Sequence, residues 1–105
     1  MIKASVLYPT TPSARFDMAY YLSNHMPMVV AALGTACLKA EVDKGLAGGA
    51  PGSVAPFVAV AHLYFATLED FQKAFAPHAG RFAEDMPNYT EIVPQVLISQ
   101  VEIVA

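Results

Sequence analysis

Phe57-Val58-Ala59-Val60-Ala61-His62-Leu63-Tyr64-Phe65 is the stretch that decides the architecture. It is rich in β-branched and aromatic residues, too short to be a bilayer span, and apolar at both parities apart from His62. A strand apolar on both faces is central in its sheet and covered on both sides. Everything else in the chain is placed around this strand.

Upstream, Lys39-Ala40-Glu41-Val42-Asp43-Lys44 alternates. Leu38, Ala40 and Val42 fall on one side and Lys39, Glu41 and Asp43 on the other, the pattern of a half-exposed strand over 36–44. A Gly-rich loop over 45–53 joins it to the central strand; it is long for a hairpin and can cover a site. It is not a Walker loop, since no Gly-Lys-Ser/Thr follows. Downstream, Thr67 caps a helix whose apolar stripe is Leu68, Phe71, Ala74 and Phe75 and which ends near Pro77. Residues 78–91 read as a short irregular helix followed by a turn at Met86-Pro87-Asn88-Tyr89. A last strand is expected over 91–104, with Pro94 at its start or on an edge.

At the other end, residues 2–8 read as a strand stopping at Pro9. A helix is expected from Ser13 to Asn24, with Thr11 as cap and Pro12 in the first helical position. Asp17 sits early enough to favour the helix N-terminus. Pro27 cannot donate its backbone hydrogen bond and crowds the carbonyl of Ser23, so it marks a break. A second piece, 28–33, stops at Gly34. The order is β-α-β-β-α-β, and the fold class is α+β: a four-stranded antiparallel sheet with both helices on one face, the ferredoxin-like arrangement, as one domain over 1–105.

Composition adds a constraint. Of 105 residues, 55% are hydrophobic and only 14% charged, against about 25% charged in an average soluble chain. A domain this small hides only about 60–70% of its surface, so the apolar excess must line an oligomer interface or a ligand pocket. Helices on one face leave the other sheet face uncovered, and a second copy related by a two-fold axis supplies the cover. The net charge of −3, with six scattered Lys and Arg, gives no basic stripe for nucleic acid. No run spans a bilayer and residues 1–8 do not read as a signal peptide, so no membrane partner and a cytoplasmic location are expected. Cys37 is the only cysteine and has no cationic neighbour at helical spacing; it reads as a buried structural thiol.

The stretches 1–9, Arg15-Phe16-Asp17-Met18-Ala19-Tyr20-Tyr21-Leu22-Ser23-Asn24-His25-Met26-Pro27, Gly45-Leu46-Ala47-Gly48 with Pro51-Gly52-Ser53, and Asp85-Met86-Pro87-Asn88-Tyr89-Thr90 together resemble the ethyl tert-butyl ether degradation (EthD) family. Phe-Asp-x₃-Tyr-x₃-His-x-Pro is the most specific part. The resemblance implies the dimeric α+β barrel superfamily, hence a homodimer. That superfamily includes cofactor-free monooxygenases of polycyclic phenols, haem-degrading enzymes, and decarboxylases or dehydratases. A Rossmann nicotinamide site is not expected, because no Gly-x-Gly-x-x-Gly follows a strand.

Asp17, Tyr21 and His25 recur at four-residue steps and share one helical stripe. An imidazole moves protons near neutral pH, so His25 is the candidate acid or base. Tyr21 is the candidate donor to a carbonyl or phenolate, and Asp17 its orienter; at 1.5 Å per residue Asp17 lies about 12 Å along the axis from His25, too far to touch it. The bland alternative is a capping Asp17 with packed Tyr21 and His25. Tyr8, His62, Tyr89 and Asn88 are candidate ligand-binding residues. His62 either faces the same cavity as His25 or is a satisfied core histidine, and the turn carrying Asn88 and Tyr89 also has a purely structural reading. His78 reads as a helix-end contact. Three histidines far apart lack metal-ligand spacing, so no metal and no cofactor are expected, although a single His25 would suffice as an axial haem ligand. Glu84 and Asp85 diverge on a helix and do not form a catalytic pair. The functions left open are an oxidoreductase or lyase acting on a small hydrophobic or aromatic molecule, a non-catalytic binder or accessory protein of a degradation pathway, and an assembly protein.

Overall fold

The computed structural model describes residues 1–105. Strand β1 covers Ile2–Pro9. Helix α1 follows in three consecutive segments, α-helical Met18–Tyr20, π-helical Tyr21–His25 and α-helical Met26–Leu33. Strands β2 (Lys39–Lys44) and β3 (Phe57–Phe65) come next. Helix α2 (Leu68–Phe75) leads through a 3₁₀ turn into α3 (Ala79–Asp85), a second 3₁₀ turn covers Met86–Asn88, and β4 (Gln95–Gln100) closes the sheet. The strand order is β2-β3-β1-β4, antiparallel throughout. This is the expected α+β ferredoxin-like arrangement, with β3 in the interior of the sheet between β2 and β1.

The two faces of β3 part cleanly. Ala59, Ala61, Leu63 and Phe65 are buried against the helices, while Val58, Val60, His62 and Tyr64 stand on the other face, only partly covered. Registers Ser5↔His62 and Glu41↔His62 put Lys3, Ser5 and Leu7 of β1 and Lys39, Glu41 and Asp43 of β2 on that same outer face. The molecule is 19 Å thick along its shortest axis, the depth of one sheet plus one helical layer. The outer face is therefore a mixed surface: Leu7, Val60 and Leu97 beside the hydrogen-bonded pair Ser5 and His62, with Asp43 3.3 Å from the His62 ring.

Several boundaries differ from the sequence reading, each for a local reason. Helix α1 starts at Met18, because Asp17 is its cap: the carboxylate accepts from the Tyr20 amide at 3.0 Å. Thr11 accepts only from Ala14 N, in an isolated turn. Pro27 does not break the helix. The preceding turn widens to π geometry, with the Met26 amide donating to the Tyr21 carbonyl five residues back, so Pro27 enters where its missing N–H is tolerated. Gly34 ends α1 at φ 64°, a conformation that glycine adopts freely. The strand expected from residue 36 begins at Lys39, and the last strand is confined to Gln95–Gln100 rather than 91–104. Thr67 caps α2 as expected, its hydroxyl accepting from Asp70 N at 3.1 Å. Gly45 leaves β2 where any Cβ would collide with the Phe57 carbonyl. Cys37 is half-buried, with its thiol donating to the Lys39 carbonyl. No helix is long and apolar enough to cross a membrane.

Candidate functional site

The segments on either side of the helical layer are tied together before the site is built. Phe16 bridges to Thr90, the Asp17 amide donates to the Tyr89 carbonyl at 2.8 Å, and the Thr90 hydroxyl donates to the Arg15 carbonyl at 2.6 Å. Arg15 in turn donates to the Pro87 carbonyl at 2.7 Å and pairs with Glu91. These contacts set the residues after α3 against the start of α1. Tyr89 is thereby fully buried between the helix and β1, at 0% exposure.

Six aromatic rings cluster there, with Tyr20 stacked on Tyr89 at 6.4 Å. Tyr8, from the end of β1, meets Phe16, Tyr21 and Tyr89 edge-on with centroids 5.0 to 6.0 Å apart. Tyr21 stacks on His25 at 5.4 Å, one π turn along α1, and Tyr89 lies 4.7 Å from the His25 ring. The hydroxyls run in a line: Tyr8 Oη to Tyr89 Oη at 2.8 Å, then Tyr89 Oη to His25 Nε2 at 3.4 Å. On its other side His25 Nδ1 lies 2.9 Å from Asp85 Oδ2. The second carboxylate oxygen, Asp85 Oδ1, accepts from Tyr20 Oη at 2.7 Å and from Asn88 Nδ2 at 2.9 Å.

Burial sets the electrostatics. It pushes the phenols of Tyr8, Tyr21 and Tyr89 up from the usual tyrosine value, so they stay protonated. For Tyr89 the hydrogen bond with Tyr8 adds to the rise, and for Tyr21 the neighbouring Tyr8 phenol does. Burial would also raise the Asp85 carboxyl. The hydrogen bonds from Asn88, Tyr20 and His25 outweigh it and hold this acid below the usual carboxylate range.

Tyr8, Tyr21, His25 and Tyr89 form the polar end of a cavity of about 190 Å³ between the sheet and the helices. Val6, Val29, Ala61, Leu63, Phe82 and Val96 are among its apolar walls; 14 of the 16 lining residues are hydrophobic. None of the six Lys and Arg of the chain lines it. Its size is comparable with a cavity of about 150 Å³ that admits benzene, so it holds roughly one substituted aromatic ring.

The sequence-derived candidates divide. Tyr8, Tyr21, His25 and Tyr89 converge on the cavity. Asp17 does not: its carboxylate is engaged in capping and its backbone carbonyl accepts from Tyr21 N at 3.0 Å, so it orients the helix and not the phenol. His62 is on the opposite face of the sheet, because its parity along β3 is that of Val58, Val60 and Tyr64; there it meets Ser5 Oγ at 2.8 Å and Asp43 at 3.3 Å. Asn88 is exposed and serves Asp85 instead of lining the cavity. Asp85 is the residue that sequence reasoning missed. It sits 60 positions from His25, so no local spacing pairs them, although its place in Asp85-Met86-Pro87-Asn88-Tyr89 was a signal.

The EthD domain family matches residues 10–92, which includes α1, the cavity helices and the Asp85–Thr90 segment. An EthD-like protein from Ralstonia eutropha JMP134 is similar over 97% of this chain and 92% of its own, with 46% identity and a TM-score of 0.92. An ethyl tert-butyl ether degradation family protein from Bacillus halodurans C-125 shares the fold at 17% identity, with coverage of 96% and 98% and a TM-score of 0.67. So does a dimeric protein of unknown function and ferredoxin-like fold from Bacteroides fragilis NCTC 9343, at 16% identity, 95% coverage of both chains and a TM-score of 0.58. No curated protein matches the chain. Residues 10–92 thus carry the sequence signature of one family, the whole chain from β1 to β4 shares the architecture of an EthD-like protein, and the chain belongs to the EthD domain family.

Proposed function

We propose that this protein binds a small hydrophobic or monoaromatic molecule in the cavity between sheet and helices, and that His25 exchanges a proton with it. The observation that carries this reading is the cavity's polarity. A single imidazole nitrogen and three protonated phenols stand at one end of an otherwise apolar space. His25 is the acid or base; Tyr21 donates to an oxygen of the ligand that gains negative charge. Decarboxylation or a similar lyase step needs only these groups. Cofactor-free oxygenation of a phenol, an oxidoreductase reaction, needs in addition dioxygen as the co-reactant that enters beside the deprotonated ring. No cofactor is part of the proposal.

The test is direct. The protein is incubated with substituted phenols and cyclic ketones, and products are followed by mass spectrometry. Turnover that is lost in His25→Ala supports the assignment; turnover unchanged in that variant refutes it. The second reading, a non-catalytic binder or accessory protein of a degradation pathway, draws on the strongly apolar lining. It predicts a bound molecule recovered at unchanged mass.

The same reading makes this a cytoplasmic protein of one domain over 1–105 that works as a homodimer, forming a dimeric α+β barrel through the outer sheet face. Support comes from the partly exposed Leu7, Val60 and Leu97 on that face and from the apolar excess of the chain. Sedimentation equilibrium showing a stable monomer at micromolar concentration would overturn the pairing.

A further inference from the structure

We propose that Asp85 is a positioning residue that keeps the proton of neutral His25 on Nδ1 and leaves the Nε2 lone pair as the base on the cavity side, with Tyr20 and Asn88 locking the carboxylate in the required rotation. The inference deepens the reading of His25 as the proton-transfer group and rests on it for its functional meaning, but its test does not need a substrate.

The geometry fixes the tautomer. Asp85 Oδ2 is 2.9 Å from His25 Nδ1, and an ionised carboxylate can only accept. The Asp85 carboxyl is held in the ionised form by its three hydrogen-bonding neighbours. A bare Nδ1 lone pair facing that oxygen would be repelled, so the proton sits on Nδ1 and donates to Asp85. Nε2 then carries the lone pair. It accepts from Tyr89 Oη, which itself accepts from Tyr8 Oη. A proton taken from a ligand arrives at Nε2, and the imidazolium so formed keeps its Nδ1–H on Asp85, which never needs to accept it.

The lock has a sharper consequence. Two donors, Tyr20 Oη and Asn88 Nδ2, converge on Oδ1 at 2.7 and 2.9 Å. In Asp85→Asn the amide must present its oxygen to those two donors. Its NH₂ group is thereby forced toward His25 Nδ1. Two N–H groups cannot face each other at that distance, so the ring is obliged to accept at Nδ1 and to carry its proton on Nε2. The substitution removes one charge and, through the lock, inverts the base. A carboxylate-to-amide change that stabilises the wrong tautomer lowers serine-protease turnover by about 10⁴-fold.

The experiment is nitrogen-15 NMR of labelled histidine in the full chain without ligand, at a pH where the ring is neutral. The expected result for His25 is a protonated Nδ1 and a bare Nε2 in the wild type, and the reverse in Asp85→Asn. Adding Tyr20→Phe and Asn88→Ala to Asp85→Asn removes both donors, frees the amide to turn its oxygen to His25, and returns the proton to Nδ1. A side chain that merely packs would leave the tautomer unmoved in all three proteins. A wild-type proton on Nε2, an unchanged tautomer in Asp85→Asn, or no reversal in the triple variant each overturns the proposal. Should Asp85→Asn fail to fold, the wild-type spectrum decides: a proton on Nδ1 upholds the positioning role and a proton on Nε2 removes it.

Discussion

Removal of a single oxygen tests whether the hydroxyl line at the cavity is a connected unit. In Tyr89→Phe the ring still fills its fully buried place, but Tyr8 Oη loses its 2.8 Å partner and His25 Nε2 its 3.4 Å one. A buried group left without its hydrogen bond costs about 1–3 kcal/mol. The 3.4 Å contact is long and weak, so most of the cost falls on Tyr8, and the expected loss is about 1.5–2.5 kcal/mol. In a chain of this length each kcal/mol moves the melting temperature by about 4–8 °C, so the variant should melt roughly 6–20 °C lower. Tyr8→Phe should cost less, because Tyr89 Oη keeps His25 Nε2 as its acceptor. The double variant places two apolar edges against each other, and replacing both partners is nearly neutral for that contact. Its cost should fall short of the sum of the single changes by about 0.5–1.5 kcal/mol. Urea unfolding of the four proteins at constant m-value measures this coupling. Strict additivity would refute the claim that the two hydroxyls bond each other.

Three further outcomes are expected. Phe65→Ala removes a side chain at 0% exposure, packed edge-on against Phe71; it should cost about 3–5 kcal/mol in urea unfolding, as large-to-small changes in cores do. Thr67→Ala deletes the 3.1 Å cap of α2 and should cost about 1 kcal/mol, read as a lower unfolding midpoint at unchanged slope. Asp85 has a folded value below the ordinary 3.8, so its ionised form is favoured by folding. That contribution is complete above the unfolded carboxyl value and disappears as pH falls through the lower folded one. The stability of Asp85→Ala should therefore fall less steeply with acid than that of the wild type below about pH 4, and parallel acid limbs in urea titrations would contradict it.

The central strand was legible because nine residues with no polar parity admit few other placements, and the alternation of Lys39-Ala40-Glu41-Val42-Asp43 gave the correct outward face of β2. The cap at Thr67 and the stop at Gly34 are likewise local chemistry, and both stand in the structure. The continuity of α1 was not legible. A proline inside a helical pattern reads as a break, whereas the added residue of a π turn removes the conflict without any change in composition. The site was half visible. Tyr21 and His25 are four apart on one helix, so spacing alone aligned them. Asp17 shares that spacing but lies at the helix entrance, where the unsatisfied amides claim its carboxylate. Asp85 reaches His25 only through tertiary packing of α3 on α1, and no periodicity within either helix reports it. The face of His62 could have been read from its parity with Val58, Val60 and Tyr64; what was missing was which parity the helices cover.

The crowding of phenols at one end of the cavity has a practical consequence. The chain has no tryptophan and five tyrosines, of which Tyr8, Tyr20, Tyr21 and Tyr89 belong to this one cluster and only Tyr64 stands apart on the outer sheet face. Its natural ultraviolet emission thus originates chiefly from the rings that would touch or adjoin a guest molecule. Occupancy of the cavity is readable by quenching or enhancement of that light in the unlabelled polypeptide, with Tyr64 as an internal reference far from the event.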